Sequence, residues 1–268
     1  MTAPEIRTDA HYRLASHRTA DIVADELRRQ IVEGQLHDGS LLPPQRELAS
    51  QFGVSLVAIG EALRALESEN LVEVRRGKRG GAVVHAPARA RTAFMLGMVL
   101  QNESAPVTDL RDALQVLEPS CAALAAVRPD RATTLLPELV RLNDAMAEHL
   151  DDAPRFAELG RRFHHEIARG CGNQTMIAVV DSLEALWISQ ETEYLEGVRA
   201  EASYPSTASR RAALNAHLKI TGAIAEGDAK AARRLTFRHV DVIHTESSAE
   251  ESVRKIRALP PRTQVSTS

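Results

Sequence analysis

Three histidines in the second half of the sequence have a spacing that suits a metal site. His217 precedes Gly227 by ten residues, and His239 follows Asp228 by eleven. If Gly227 and Asp228 turn one helix back against an antiparallel partner, both imidazoles lie at the same height, roughly 15 Å from the turn at about 1.5 Å per residue. His164 offers a third imidazole from an earlier helix. A single histidine is more often a surface or core residue than a ligand, so it is the shared height that favours a metal site.

A cluster of basic residues in the first third of the sequence indicates a second kind of chemistry. Six Lys or Arg residues and no acid occur from Arg75 to Arg91, whereas acids outnumber bases ten to five from Arg18 to Val74. Four of them, Arg75, Arg76, Lys78 and Arg79, lie between two short runs typical of strands, residues 72–74 and 82–84, and so form the tip of a predicted hairpin. Such a tip is suited to nucleic-acid phosphates, and the alternative is a tip that is merely solvated.

The elements before this hairpin have the order of a helix-turn-helix. Apolar residues recur at helical spacing from Thr19, a candidate N-cap, to Gly34. A short helix opens at Pro43-Pro44, the turn Phe52-Gly53-Val54 follows, and Ser55 begins another helix. The prediction is a winged helix-turn-helix of three helices plus a β-hairpin wing. One helix of such a unit enters the major groove of DNA while the wing contacts phosphates.

Sequence segments in this region resemble the N-terminal DNA-binding domain of the GntR family of transcription regulators. The segments are PPQRELASQFGVS, EALRALESENLVEVRRG and RGGAVV, which follow one another in the order and at the spacing of that family. The resemblance implies contacts to DNA from the helices and from the wing. The implied contact residues are Arg46, Ser55, Leu56, Val57, Arg75, Arg76, Lys78, Arg79 and Gly80.

The predicted recognition helix departs from the family at two positions. Leu56 and Gly60 stand where the family usually has arginines, and Val57, Ala58 and Ile59 leave the expected exposed start without a side-chain hydrogen bond. Because arginine bidentate to guanine is the commonest specific base contact, we predict that the protein does not read a guanine-rich half-site. Thymine methyl groups against Leu56 or Val57, together with groove shape read by the wing, are the expected sources of specificity.

The rest of the sequence, from about residue 91 to residue 257, predicts an all-α helical bundle. Apolar residues recur at helical spacing throughout, without strand-like alternation. Pro119 and Pro137 lie inside helical patterns and should kink or restart them. The predicted helices span residues 91–100, 108–127, 131–150, 154–171, 174–199, 206–226 and 229–248.

The histidine region resembles the FCD domain, the helical effector domain of FadR-type GntR regulators. Phe163-His164 followed by Gly172-Asn173, and His217-x-x-Ile220-x-x-Ala223-Ile224-x-x-Gly227-Asp228 ending at His239, carry the resemblance. It implies a divalent metal held by His164, His217 and His239, and a small carboxylate effector bound against that metal. Glu118 is the candidate effector-binding residue, with an ordinary helix-face carboxylate as the alternative.

This region also departs from its family at two positions. Gly160 stands where the family has an aspartate ligand, one helical turn before His164, and Leu114 stands where it has an arginine, four residues before Glu118. Three neutral imidazoles without that carboxylate favour zinc or nickel over manganese or magnesium. Loss of the arginine predicts an effector that is less acidic, or no effector.

Length and composition are typical of a globular protein. The 268 residues are 44% hydrophobic and 26% charged, enough for two domains. No apolar run is long enough to span a bilayer, and the first 18 residues lack a hydrophobic signal region, so a cytoplasmic location is expected. Cys121 and Cys171 lack the spacing of a metal site, which predicts two reduced thiols.

The expected protein is a ligand-responsive transcription regulator. We expect a repressor that binds a palindromic double-stranded DNA operator as a homodimer, because one recognition helix contacts too few base pairs alone. The alternatives are a metal-dependent enzyme and a helical interaction protein that has lost sequence-specific DNA reading. The predicted organisation is a flexible arm at 1–17, the winged domain at 18–86, a linker and first bundle helix at 87–105, the FCD-like effector-binding and dimerisation domain at 106–257, and a disordered tail at 258–268.

Overall fold

The computed structural model describes residues 10–75, 81–87, 89–197, 205–246 and 254–260, and it divides into two compact units, Met1–Ala88 and Arg89–Ser268. In the described residues the first unit contains α1 (Ala10–Val32), α2 (Gln45–Phe52), α3 (Leu56–Ser68), β1 (Val72–Arg75) and β2 (Gly81–Val84). The second contains α4 (Arg89–Asn102), α5 (Val107–Ala126), α6 (Arg131–Thr134), α7 (Leu136–Glu148), α8 (Ala153–Gly170), α9 (Gln174–Gly197), α10 (Thr207–Glu226) and α11 (Ala229–Glu246). The predicted fold class, a winged helix-turn-helix followed by a helical bundle, is confirmed.

The core of the first unit lies between α1 and α3. Val23 and Leu27 of α1 are buried, and so are Ile59, Leu63 and Leu66 of α3. Burying a side chain of this size contributes about 1.5–3 kcal/mol, so these contacts determine how α3 is held against the unit. The opposite face of α3 remains exposed to solvent.

Two caps define the turn between α2 and α3. Helix α2 ends at Gly53, which has a φ of +66°, the left-handed conformation that favours glycine. Helix α3 begins after Ser55, whose Oγ accepts a hydrogen bond from the Ala58 N–H at 3.1 Å. This bond satisfies one of the amides that the first turn of a helix leaves unpaired.

The two strands of the wing are antiparallel. Val72 lies opposite Val84, and Arg75 lies opposite Gly81. Val72, Val84 and the neighbouring Ala82 are buried against the helices, so the hairpin is anchored by its apolar residues. Residues 76–80, which complete the predicted tip, lie outside the described residues.

Helix α1 starts earlier than the sequence predicts. It begins at Ala10, nine residues before the proposed N-cap Thr19, and so includes part of the predicted arm at 1–17. Residues 10–17 have no apolar periodicity, but they include Ala, Leu and Arg, which favour a helix without packing. Periodicity therefore located α1 but not its first residues.

Helix α5 belongs to both apolar clusters of the second unit. Its first half contributes Leu110 and Leu114 to a cluster with α4 and α9, and its second half contributes Ala122 and Ala125 to a cluster with α7, α8, α10 and α11. Pro119 is buried inside α5, which continues past it without interruption. No helix in the described part of the chain is both long and apolar enough to cross a membrane.

The predicted helix at 131–150 is interrupted, as its proline suggested. The structure has two helices there, α6 and α7, and Pro137 occupies the first turn of α7. Proline is well tolerated at this position because the amides of the first turn have no partner within the helix. The restart predicted for Pro137 is therefore observed.

Residues 254–260 form an extended segment that packs on the second unit, although the sequence predicts a disordered tail from residue 258. The Val107 N–H donates to Arg254 O at 3.0 Å. The buried Gln190 side chain donates from Nε2 to Arg257 O and accepts from the Arg257 N–H at Oε1, both at 2.9 Å. The segment continues into the predicted tail, where the Ala258 N–H donates to Gln101 Oε1 at 2.7 Å, so long-range contacts hold the first residues that were expected to be disordered.

Leu63 and Leu56 lie on the same helix and differ in burial, which gives a matched pair of substitutions. Leu63 is 2% exposed and Leu56 is 47% exposed. Leu63→Ala should destabilise the first unit by about 3 kcal/mol, because it leaves a cavity in the core. Leu56→Ala should change its stability by less than about 0.5 kcal/mol. Calorimetry of the full chain measures both, and equal shifts would contradict the packing described for α3.

Candidate functional site

The antiparallel helices α10 and α11 bring two histidines to the same level. Helix α10 ends at Gly227, whose φ of +76° reverses the chain. The Asp228 Oδ1 accepts a hydrogen bond from the Ala231 N–H at 2.9 Å, which caps the start of α11. As a result the Nε2 atoms of His217 and His239 lie 2.7 Å apart.

His164 on α8 completes a group of three imidazoles, which we call the histidine cluster (His164, His217 and His239). The Nε2 atom of His164 is 3.2 Å from that of His239, and the two rings are parallel. One ring nitrogen from each histidine lies within 4.8 Å of the other two. Since zinc–imidazole bonds are about 2.0–2.1 Å long, the three nitrogens are close enough to share one ion.

His217 is held in its neutral form. Burial, followed by the neighbouring His239 and His164, lowers the pKa of His217 well below its usual value. Phe163 stacks on the ring at a centroid distance of 4.2 Å, and the buried Nδ1 has no hydrogen-bond partner among the described residues. A neutral imidazole keeps the lone pair that a metal ion requires.

Glu118 on α5 lies behind His164. Its Oε2 is 2.9 Å from Nδ1 of His164, whereas Nε2 of the same ring faces His239. Burial opposes the charged form of His164, but the carboxylates of Glu118 and Glu184 outweigh it and raise the pKa of His164. A carboxylate on the outer nitrogen orients a ligand imidazole and strengthens it as a donor. The structure therefore places Glu118, the predicted effector-binding residue, against the outer nitrogen of His164.

The position of Gly160 leaves space beside the histidine cluster. A Cβ on Gly160 would have only Cε1 of His217 within 4 Å, at 3.8 Å. Among the described residues no carboxylate oxygen joins the three imidazole nitrogens as a possible ligand. The residues present therefore fit an ion that prefers nitrogen, such as zinc or nickel, and leave coordination positions open. Leu114 is buried in an apolar cluster.

The start of α3 agrees only in part with the expected DNA-reading surface. Leu56 and Val57 are 47% and 64% exposed. Ala58 and Ile59 are buried in the core with α1, so the expectation that they face DNA is wrong. Gly60 has no atom within 4 Å of the position of a Cβ, which leaves the helix surface bare there. The apolar side chains available to DNA at this end of α3 are Leu56 and Val57.

The basic residues considered for DNA contact differ in exposure and in ion pairing. Arg46 on α2 is exposed. Arg64 is also exposed and lies four residues after Gly60, on the same face of α3. Arg75 pairs with Glu73, with 3.1 Å between Nη2 and Oε2, so its charge is partly neutralised. Sequence reasoning missed Arg64, although its helical spacing was the signal. The predicted contacts Arg76, Lys78, Arg79 and Gly80 lie outside the described residues.

The two cysteines are far apart in sequence but belong to one apolar cluster. Cys121 and Cys171 are both free and buried. Burial, together with the neighbouring Cys171, raises the pKa of Cys121 and keeps its thiol protonated. A protonated, buried thiol is a poor nucleophile, so these residues are part of the packing.

Known families match each of the two units. The family described as "Bacterial regulatory proteins, gntR family" matches residues 19–83, and the FCD domain matches residues 109–242. An Escherichia coli protein described as an L-lactate dehydrogenase operon regulatory protein is 31% identical, over 85% of this chain and 86% of its own. The Uxu operon transcriptional regulator of E. coli is 27% identical, over 85% of this chain and 86% of its own length. The structure of Streptococcus agalactiae GntR has a TM-score of 0.64 at 24% identity, over 85% of this chain and 99% of that chain.

We expect the metal-free protein to bind Ni²⁺ through the histidine cluster. His239→Ala should abolish this binding, because Nε2 of His239 lies 2.7 and 3.2 Å from those of the other two histidines. Glu118→Gln should weaken it by about 10- to 100-fold, since it removes the group behind His164. His37→Ala, at an exposed histidine of the first unit, is the control. Isothermal titration calorimetry measures all four proteins, and unchanged binding in His239→Ala would contradict the assignment.

Proposed function

Because this chain belongs to the GntR family of bacterial transcription regulators and carries an FCD domain, we propose that it is a homodimeric repressor that binds a palindromic operator and releases it when a small molecule binds. The family makes it a DNA-binding transcription regulator with an effector domain and not an enzyme. One observation carries the proposal. The two family matches, residues 19–83 and 109–242, fall each within one compact unit, and each unit has its own candidate site.

The exposed start of α3 supports a particular way of reading DNA. Leu56 and Val57 offer apolar surface, which suits the methyl group of thymine, and the bare backbone at Gly60 allows close approach to the groove. Arg46 and Arg64 are exposed on α2 and α3 and are suited to phosphates, which position a protein without specifying a sequence. We therefore expect an operator whose half-sites are rich in A·T pairs.

Dimerisation follows from the size of the reading surface. One recognition helix contacts only a few base pairs, and two copies related by a two-fold axis double the site and make it palindromic. A small molecule that favours a different arrangement of the two copies then weakens binding to both half-sites at once. Since the target is chromosomal DNA, the protein acts in the cytoplasm.

The histidine cluster supports a proposal for the effector. Three imidazoles leave open positions on a zinc or nickel ion, and a carboxylate of a small molecule is a suitable further ligand. The relative named for the L-lactate dehydrogenase operon is consistent with a small carboxylate as the signal. The buried Leu114 offers no charge, so the ion itself must supply most of the attraction.

We expect Leu56→Arg to change the sequence that the protein selects. An arginine at this exposed position gains two donors for the O6 and N7 atoms of guanine, a contact of about 1–3 kcal/mol. Val140→Arg adds the same charge at an exposed position of the second unit and should leave the preference unchanged. Selection from random duplexes compares both variants with the natural protein. A guanine-rich palindrome selected by the natural protein would contradict the proposed role of Leu56 and Val57. DNA binding that is absent or insensitive to salt would instead favour a helical interaction protein that has lost sequence-specific DNA reading.

The effector should lower the affinity for the operator by the same factor by which the operator lowers the affinity for the effector. A panel of small carboxylates, including L-lactate, can be screened by thermal shift on the metal-loaded protein. A compound that weakens operator binding tenfold must itself bind tenfold more weakly to the operator complex, because coupling free energy is reciprocal. Fluorescence anisotropy and calorimetry give the two factors. Equal affinity for the compound with and without operator would refute the proposed mechanism.

A further inference from the structure

A second group of ligand-type side chains lies between α8 and α9. His165 projects from α8, and Asp181 and Glu184 lie three residues apart on α9. Nδ1 of His165 is 3.1 Å from Oδ1 of Asp181 and 3.2 Å from Oε2 of Glu184. One ligand atom from each residue lies within 4.8 Å of the other two. We call this group the carboxylate cluster (His165, Asp181 and Glu184).

The oxygens of this cluster are buried and poorly satisfied. The Asp181 side chain is 1% exposed, and neither of its oxygens accepts a well-aligned hydrogen bond from the described residues. Oε1 of Glu184 is also buried and has no hydrogen-bond partner there. Buried carboxylate oxygens are costly unless hydrogen bonds, a cation or a metal satisfy them. The contacts within the described residues therefore satisfy these buried oxygens only in part.

The charged side chains around the cluster leave it with an excess of negative charge. Arg89 approaches Asp181, with 2.6 Å between Nη1 and Oδ2, but the Arg89 side chain is 46% exposed. His165 shares one Nδ1–H between two carboxylates. Glu118 adds a third carboxylate whose charge acts on Glu184. Three carboxylates thus face two imidazoles, His164 and His165, and one permanent cation, Arg89, and a divalent cation would add positive charge beside the buried oxygens.

The two clusters use adjacent histidines that point in different directions. Consecutive residues of a helix are rotated by about 100°, so His164 and His165 cannot face the same point. Nε2 of His164 faces His239, whereas Nδ1 of His165 faces Glu184. A pair of ligands three residues apart on one helix, completed by a residue from the facing helix, is how helical bundles build metal centres.

We propose that His165, Asp181 and Glu184 bind a second divalent cation, separate from the ion of the histidine cluster. One nitrogen and two carboxylate oxygens suit Mn²⁺ or Fe²⁺, in contrast to the nitrogen-only histidine cluster. His165 is 31% exposed on its side chain, which gives the ion a route from solvent. The ion links α8 to α9 and, through Arg89, to the start of α4. This site does not rest on the regulator function proposed above.

The experiment uses the full chain with the histidine cluster removed. The variant His217→Ala/His239→Ala, stripped of metal by a chelator, is titrated with Mn²⁺ while the electron paramagnetic resonance signal of free Mn²⁺ is recorded. We expect it to bind one equivalent. Adding Asp181→Asn or Glu184→Gln should weaken this binding by more than tenfold, and adding Asp144→Asn, at an exposed aspartate of α7, should not.

Two results would overturn the proposal. One is that the double variant binds no Mn²⁺ although circular dichroism shows that it is folded. In that case His165 only donates its Nδ1–H to the neighbouring carboxylates, and the cluster holds no metal ion. The other is that Mn²⁺ binding survives in both the Asp181→Asn and Glu184→Gln variants. If the double variant does not fold, the same substitutions are made in the natural protein. There, with Ni²⁺ already bound to the histidine cluster, each should remove the single Mn²⁺ equivalent and leave Ni²⁺ binding intact, and survival of that equivalent in both variants overturns the proposal.

Discussion

The turn at Gly227 is the constraint on which the histidine cluster depends. Arg131 donates from Nε to Ile224 O at 2.9 Å and from Nη2 to Ala225 O at 3.2 Å, so it satisfies carbonyls that the end of α10 leaves unpaired. A Cβ at Gly227 would lie 3.0 Å from Arg131 Nη2, and the left-handed φ disfavours any other residue. Because each residue of a helix rises about 1.5 Å and rotates by about 100°, a residue inserted between this turn and either histidine would turn that imidazole away from its partner.

Local signals made much of the fold predictable. Glycine at a left-handed position and a serine N-cap act within a few residues, so the turns at Gly53 and Gly227 and the start of α3 at Ser55 could be located from sequence. His217 and His239 lie at nearly equal distances in sequence from one turn, so their proximity in space could be predicted from their spacing. His164 was noted as a further imidazole on an earlier helix, but only the resemblance to the FCD domain assigned it as a ligand, since no spacing connects α8 with this turn.

Features that depend on contacts between distant segments could not be predicted. Ala58 and Ile59 lie in the first turns of the helix that Ser55 caps, where exposure was expected, but packing against α1 buries them. The carboxylate cluster depends on how α8 packs against α9, because the i, i+3 spacing of Asp181 and Glu184 is common on solvated helix faces. Residues 254–260 lack any periodicity, and their order comes from amide groups such as Gln190 that meet them from elsewhere in the chain.

The pairing of residues 254–256 with residues 105–107 affects how the chain folds during synthesis. Ile256, which is 1% exposed, covers an apolar cluster formed with α4, α5 and α9, and its N–H donates to Ala105 O at 3.0 Å. The ribosome must therefore deliver this segment before the helical unit can close. The first unit has its core within residues Met1–Ala88 and can fold earlier, as N-terminal domains generally do. A nascent chain consequently carries a folded DNA-binding unit and, in its helical unit, an open apolar surface, which chaperones can bind until residues 254–256 have been synthesised.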